Sequence, residues 1–133
     1  MSGLVVCDAS AVVAALLDAG EHGQWAAGRM TGQEVFAPTV LPYECANVIR
    51  RQQRAGTVSP DQAAQAHADL LDLPIDYWPY HALAERIWEL HDNLSSYDAA
   101  YVALAEAIGA PLVTLDCRLA NAPGARCAID CYT

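Results

Sequence analysis

The chain has 133 residues, 54% of them hydrophobic, and a formal net charge of -9, with no lysine. That length suits one domain with its own core and leaves two cramped, the apolar content argues against disorder, and no run approaches the ~18 apolar residues of a membrane span. The acidic balance excludes broad adhesion to a nucleic acid backbone, but not a small contact in which carboxylate-held cations meet a phosphate.

Met1-Ser2-Gly3 carries no basic leader and runs straight into Leu4-Val5-Val6-Cys7, a short β-branched run that predicts a buried first strand rather than a secretory signal. Five cysteines, an odd number in a domain that needs no bridging, predict free thiols in a cytoplasmic protein. Cys127 and Cys131 lack the second pair that a zinc knuckle needs. After Asp8, residues 9 to 18 predict a helix closed by Gly20, and Glu21 to Met30 a second. Glu34 to Ala37 predicts a strand stopped by Pro38.

Thr39 is the expected cap of the next helix, which has Pro42 in its first turn and runs to Arg54. Ser59-Pro60-Asp61-Gln62 signals another helix start, continuing to about Asp72, so that two helices joined by residues 55 to 58 form a hairpin that could stand off the sheet. Ile75 to Trp78 is a strand candidate, Tyr80 to His91 an amphipathic helix, and Ser95 with Asp98 the start of a helix ended by Gly109. Residues 112 to 115, a short helix around Leu119 and a strand from Ala128 to Cys131 complete the chain. Short buried strands alternating with helices predict a three-layer α/β/α domain with a mostly parallel central sheet, spanning 1–133 as one unit.

Asp8 and Asp116 each follow an apolar strand, which would bring two carboxylates to the crevice where open α/β sheets bind ligands. Like charges that close repel, so a divalent cation is the first idea to test. Helix capping is the competing role for Asp8 and for Asp98, which sits at a helix N-terminus where backbone N–H groups favour an anion. Glu44 interrupts an apolar helix, with Asn47 three residues on as a polar neighbour suited to orienting it. An ordinary solvent-facing pair is the alternative.

Asp8, Glu44, Asp98 and Asp116, within Val6-Cys7-Asp8-Ala9-Ser10-Ala11, Pro42-Tyr43-Glu44-Cys45-Ala46-Asn47-Val48, residues 96 to 105 and residues 112 to 119, resemble the PIN-domain family, most closely the VapC-like ribonuclease toxins of type II toxin-antitoxin pairs. The resemblance covers essentially the whole chain. It implies an endoribonuclease using Mg2+ or Mn2+, in which the four acids are catalytic and hold one or two ions against the scissile phosphate. All-oxygen ligands without histidine agree with magnesium rather than zinc, and His22, His67, His81 and His91 are expected to be non-catalytic. Ser10 and Thr114 are expected as water-orienting or supporting hydroxyls, with a helix cap and a plain strand residue as their alternatives.

Arg50, Arg51 and Arg54 are candidates to guide RNA, or form a solvated helix end. Arg118 could reach a phosphate or restrain Asp116. The resemblance further implies a VapB-like antitoxin whose tail blocks the acids, anchored on Val12, Leu16, Leu17, Trp25 and the hairpin between Val40 and Leu71, and a homodimer through helices for which Leu83, Ile87 and Trp88 are candidates. Cys45 and Cys117 are expected to be buried and to take no part in the chemistry. A PIN-domain nuclease of RNA processing and a catalytically silent PIN-fold interaction protein are the alternatives. An aspartyl-phosphate phosphatase lacks its second aspartate, a receiver domain its lysine, and a nucleotide binder its glycine-rich loop.

Overall fold

The computed structural model describes residues 3–133; Met1 and Ser2, part of the stretch read above as leaderless, lie outside the described residues. Five strands form one sheet: β1 (Leu4–Cys7), β2 (Glu34–Pro38), β3 (Ile75–Trp78), β4 (Leu112–Thr114) and β5 (Ile129–Cys131). Their order is β3-β2-β1-β4-β5 and every neighbouring pair is parallel. Parallel neighbours need crossovers, which the helices supply. They are α1 (Ala9–Leu17), α2 (Glu21–Met30), α3 (Leu41–Arg54), α4 (Pro60–Asp72), α5 (Tyr80–Glu89) and α6 (Ser96–Ile108), with a 3-10 turn at Cys117–Asn121 before β5.

The layers follow from side-chain size. In α6, Ala99 to Ala105 are buried without a break, and the small alanines let the helix lie close against β1, β2 and β4, with α5 beside it. α6 stops at Gly109, whose φ of 66° is the left-handed conformation glycine adopts without strain. On the other face α1 and α2 pack together and onto β4. Their approach is close enough that a Cβ on Gly23 would lie 1.7 Å from the Asp18 carbonyl oxygen and 2.6 Å from that of Ala14. The predicted hairpin, α3 with α4, packs on α1 and gathers its own small core of Ile49, Ala63 and Ala66 against Leu16, Leu17 and Val58.

Several boundaries differ from the sequence expectation. Thr39 does not cap α3; the N-cap is Val40, without a side-chain hydrogen bond. Pro38 closes β2 from within, β4 ends at Thr114, α5 ends at Glu89, and Leu4 is partly exposed where the strand enters the sheet. The Ser59 cap is present in full, its hydroxyl accepting from the Gln62 N–H while the Gln62 side chain accepts from the Ser59 N–H.

Candidate active site

Strand register sets the first pair. β1 and β4 are neighbours, with Cys7 opposite Val113, so Asp8 and Thr114 emerge together at the carboxyl end of the sheet. Asp8 is both N-cap and acid: its Oδ1 accepts from the Ala11 N–H (3.1 Å) and from Ser10 Oγ (2.6 Å), its Oδ2 from Thr114 Oγ1 (2.5 Å). The same hydroxyls stitch the strand ends together, Ser10 Oγ accepting from the Leu115 N–H and Thr114 Oγ1 from the Asp116 N–H, both at 2.9 Å. Burial pushes the Asp8 carboxyl above the usual carboxylate range, three hydrogen bonds pull it back, and the charge of Asp98 adds to the rise.

Glu44 comes from the first turn of α3. Its Oε1 accepts from the Tyr101 hydroxyl of α6 at 2.5 Å. Burial raises its carboxyl, the Tyr101 bond lowers it, and the charges of Asp98 and Asp8 raise it further. Asp98 stands in the first turn of α6, where Ser95 Oγ accepts from its backbone N–H (3.1 Å), so the serine is the cap. Burial first and Asp116 second raise the Asp98 carboxyl, against Arg118 and Ser95. Asp8, Glu44 and Asp98 thus feel one another, and Asp98 also feels Asp116. Three of the four are harder to ionise than an ordinary carboxyl.

Asp116 is the exception. The Arg118 side chain holds it below the usual range, with Nε on Oδ1 at 2.8 Å and Nη2 on Oδ2 at 2.6 Å.

Three observations depart from the sequence reading. Asn47 is exposed and, among the described residues, its side chain has no hydrogen bond; the group that fixes Glu44 is Tyr101, from the buried stretch of α6. A signal for it existed, since Tyr101 lies three residues after Asp98 on the same helical face. Cys117 is only partly buried and donates to the Tyr132 carbonyl (3.2 Å). Cys45 is fully buried as expected, its thiol pushed up to about 12 by burial and by the charges of Glu44 and Asp8. Arg50, Arg51 and Arg54 are exposed near the end of α3 and make no ion pair among the described residues.

The partner surfaces also sort by burial. Val12, Leu83 and Ile87 belong to the core, which removes them as anchors or dimer contacts, whereas Trp88 is exposed. A groove of about 750 Å³ runs between α1, α3 and α4, lined by Val13, Leu17, Val48 and Val58, and reaches Ser10 and Leu115 at the edge of the acids.

A model of the PIN domain matches residues 5–125. The chain belongs to the PIN-domain family. Within it the relatives are VapC ribonucleases: the VapC ribonuclease Mb0985 of Mycobacterium bovis is 38% identical over 126 residues, covering 95% of this chain and 96% of that protein. Ribonuclease VapC1 of Mycobacterium tuberculosis is 40% identical, covering 93% and 94%. The crystal structure of PAE2754 from Pyrobaculum aerophilum superposes with a TM-score of 0.67 at 25% identity over 98% of this chain and 92% of that one.

The acids of this PIN domain suit a hard cation in donor chemistry, being all oxygen. Of the roughly four acceptor positions on a carboxylate, Asp8 has three in use and one to spare. Among the described residues no three His, Cys, Asp or Glu side chains stand close enough to hold an ion as they are, so ligation would require the acids to draw together.

Proposed function

We propose that the protein is a Mg2+-dependent endoribonuclease toxin, its activity carried by one nuclease domain and held in check by a cognate antitoxin. What supports this reading is geometry across elements: Asp8, next after β1, is held by Ser10 and Thr114, and Glu44 of α3 is held by Tyr101 of α6, the helix that bears Asp98, with burial and mutual charge raising all three carboxyls. Its support from kinship is the VapC relationship over nearly the full chain.

Asp8, Glu44, Asp98 and Asp116 are the residues that would hold Mg2+ or Mn2+. The chemistry such an ion would supply there is a more acidic water and neutralisation of charge on the departing oxygen of a phosphodiester. The chain's own part is positional. Ser10 and Thr114 keep Asp8 from turning, Tyr101 fixes Glu44, and the Ser95 cap sets the turn that presents Asp98. Arg50, Arg51 and Arg54, without acidic partners among the described residues, are the cations that would meet the RNA backbone away from the acids.

The groove between α1, α3 and α4 is where the antitoxin would seat apolar side chains, its end at Ser10 allowing a basic tail to reach the acids. Leu17 lines it, the partly buried Leu16 and Trp25 remain as further anchors, and Trp88 is the remaining candidate for a homodimer contact.

The test is cleavage of total RNA by the purified protein, with and without Mg2+, beside Asp8→Asn and Asp98→Asn. Mg2+ should be required, and each substitution should cost on the order of a hundredfold or more, the scale of losing one group that stabilises transition-state charge. Cleavage that persists in excess chelator, or in both variants, would sink the reading.

A further inference from the structure

Asp116 differs from the other three acids in already having a counter-ion. Arg118 lays its guanidinium fork side-on across the carboxylate at 2.8 and 2.6 Å, and its backbone N–H adds a third bond to Oδ1 at 3.1 Å. Those three bonds fill about three of the four acceptor positions that a carboxylate offers. The charge of the guanidinium also acts on Asp98, lowering its carboxyl against the rise from burial and Asp116.

Among the described residues the Arg118 side chain makes no hydrogen bond or ion pair other than this one. Its side chain is 88% exposed, against 27% for that of Asp116. An ion pair so open to water is weak and therefore displaceable. A doubly charged ion engaging both oxygens of Asp116 would compete with it for them.

We propose that Arg118 is the internal counter-ion of the acid pocket, holding Asp116 while no divalent ion is bound and giving up that carboxylate when one arrives. The inference rests on the divalent-ion reading above and adds a competitor to it. Arg118 is in this account a positioning residue: it keeps Asp116 extended over the pocket, lowers the apparent affinity for the ion, and is set free beside the site only in the loaded protein. The fork matters as much as the charge, because a side-on guanidinium engages both oxygens at once, whereas an ammonium is a point charge.

The experiment is calorimetric titration of Mn2+ into chelator-treated protein, comparing wild type with Arg118→Met, Arg118→Lys and Arg126→Met. Removing the competitor should make Arg118→Met bind Mn2+ roughly 2- to 5-fold more tightly, the range that an exposed pair allows. Arg118→Lys should fall between the two. Arg126→Met makes the same change in net charge at the other end of β4, beside Pro111, and should leave the affinity unchanged at physiological salt. Raising NaCl should narrow the gap between wild type and Arg118→Met, since the displaced contact is itself screened.

Equal or weaker binding by Arg118→Met, or a matching gain in Arg126→Met, overturns the counter-ion role while leaving the metal site standing. Absence of Mn2+ binding by both wild type and Arg118→Met overturns the divalent-ion reading, and this inference with it. Thermal unfolding of each variant confirms that it is folded, as expected for a side chain lying in solvent.

Discussion

Tyr101 is where one hydroxyl has most to do. It is almost wholly buried in α6, yet its hydroxyl reaches the half-buried carboxylate of Glu44 on α3. Tyr101→Phe keeps the ring and its packing and removes only the hydrogen bond. RNA cleavage is expected to fall roughly tenfold, the low end for losing a partner that orients a ligand, with a stability loss of about 1 kcal/mol. The loss should appear in kcat and in Mn2+ affinity; an unchanged kcat would reduce Tyr101 to a core residue. Asp8, Glu44, Asp98 and Asp116 stood out in the sequence because each breaks or borders an apolar run. Tyr101 did not, because a buried aromatic in an apolar stripe reads as packing until the residue opposite it is known. Asn47 shows the converse: nearness in sequence suggested a partner for Glu44, while the contact comes from a helix more than fifty residues away.

Two helix caps of the same chemistry separate stability from function. Ser59 caps α4, a helix that bears none of the four acids, whereas Ser95 caps the turn bearing Asp98. Ser59→Ala and Ser95→Ala should each cost about 1 kcal/mol, read as a lower thermal midpoint. Only Ser95→Ala should also slow cleavage, because it frees the turn that aims an acid; equal slowing by both would mean that cleavage merely tracks stability. Both serines were legible from the sequence, since cap chemistry is local. Thr39 was not, because the chain enters α3 through Val40 in helical conformation and leaves no extended residue for a side chain to cap from. A further contact invisible in sequence is Arg86, which binds Glu106 at 2.6 Å and the Gly124 carbonyl at 2.6 Å, tying α5 and α6 to the segment before β5. Arg86→Met should destabilise the protein by about 2 kcal/mol in denaturant unfolding and leave the chemistry of the acids alone.

The whole molecule carries the charge of its raised carboxyls as a cost to folding. Asp8, Glu44 and Asp98 have carboxyls raised above their ordinary values, so between about pH 4 and those raised values the folded chain holds more protons than the unfolded one. Stability contributed by these groups must therefore fall as pH rises through that window. Glu106 and Asp116 are lowered, so what they contribute is present above about pH 4 and is lost only as pH falls through their folded values. The metal-free protein is expected to lose thermal midpoint from about pH 4.5 towards neutrality, and Mg2+ at a hundred times its Kd should restore about 2.7 kcal/mol. Scanning fluorimetry across pH, with and without Mg2+, reads both; a midpoint that climbs towards neutrality without metal would contradict the linkage. The parallel sheet was legible from the alternation of strands and helices, but the order β3-β2-β1-β4-β5 that puts Asp8 beside Thr114 was not, since nothing local states which strands become neighbours.

Gly23 gives this design a hidden point of failure. It faces α1, whose first residues carry the hydroxyl and backbone contacts of Asp8, and even a methyl group there would wedge the two helices apart. A genetic screen for cells that survive expression of the protein should then return substitutions at Gly23 among those at the acids. Only the amount of folded material in the survivors would tell a broken scaffold from a silenced blade.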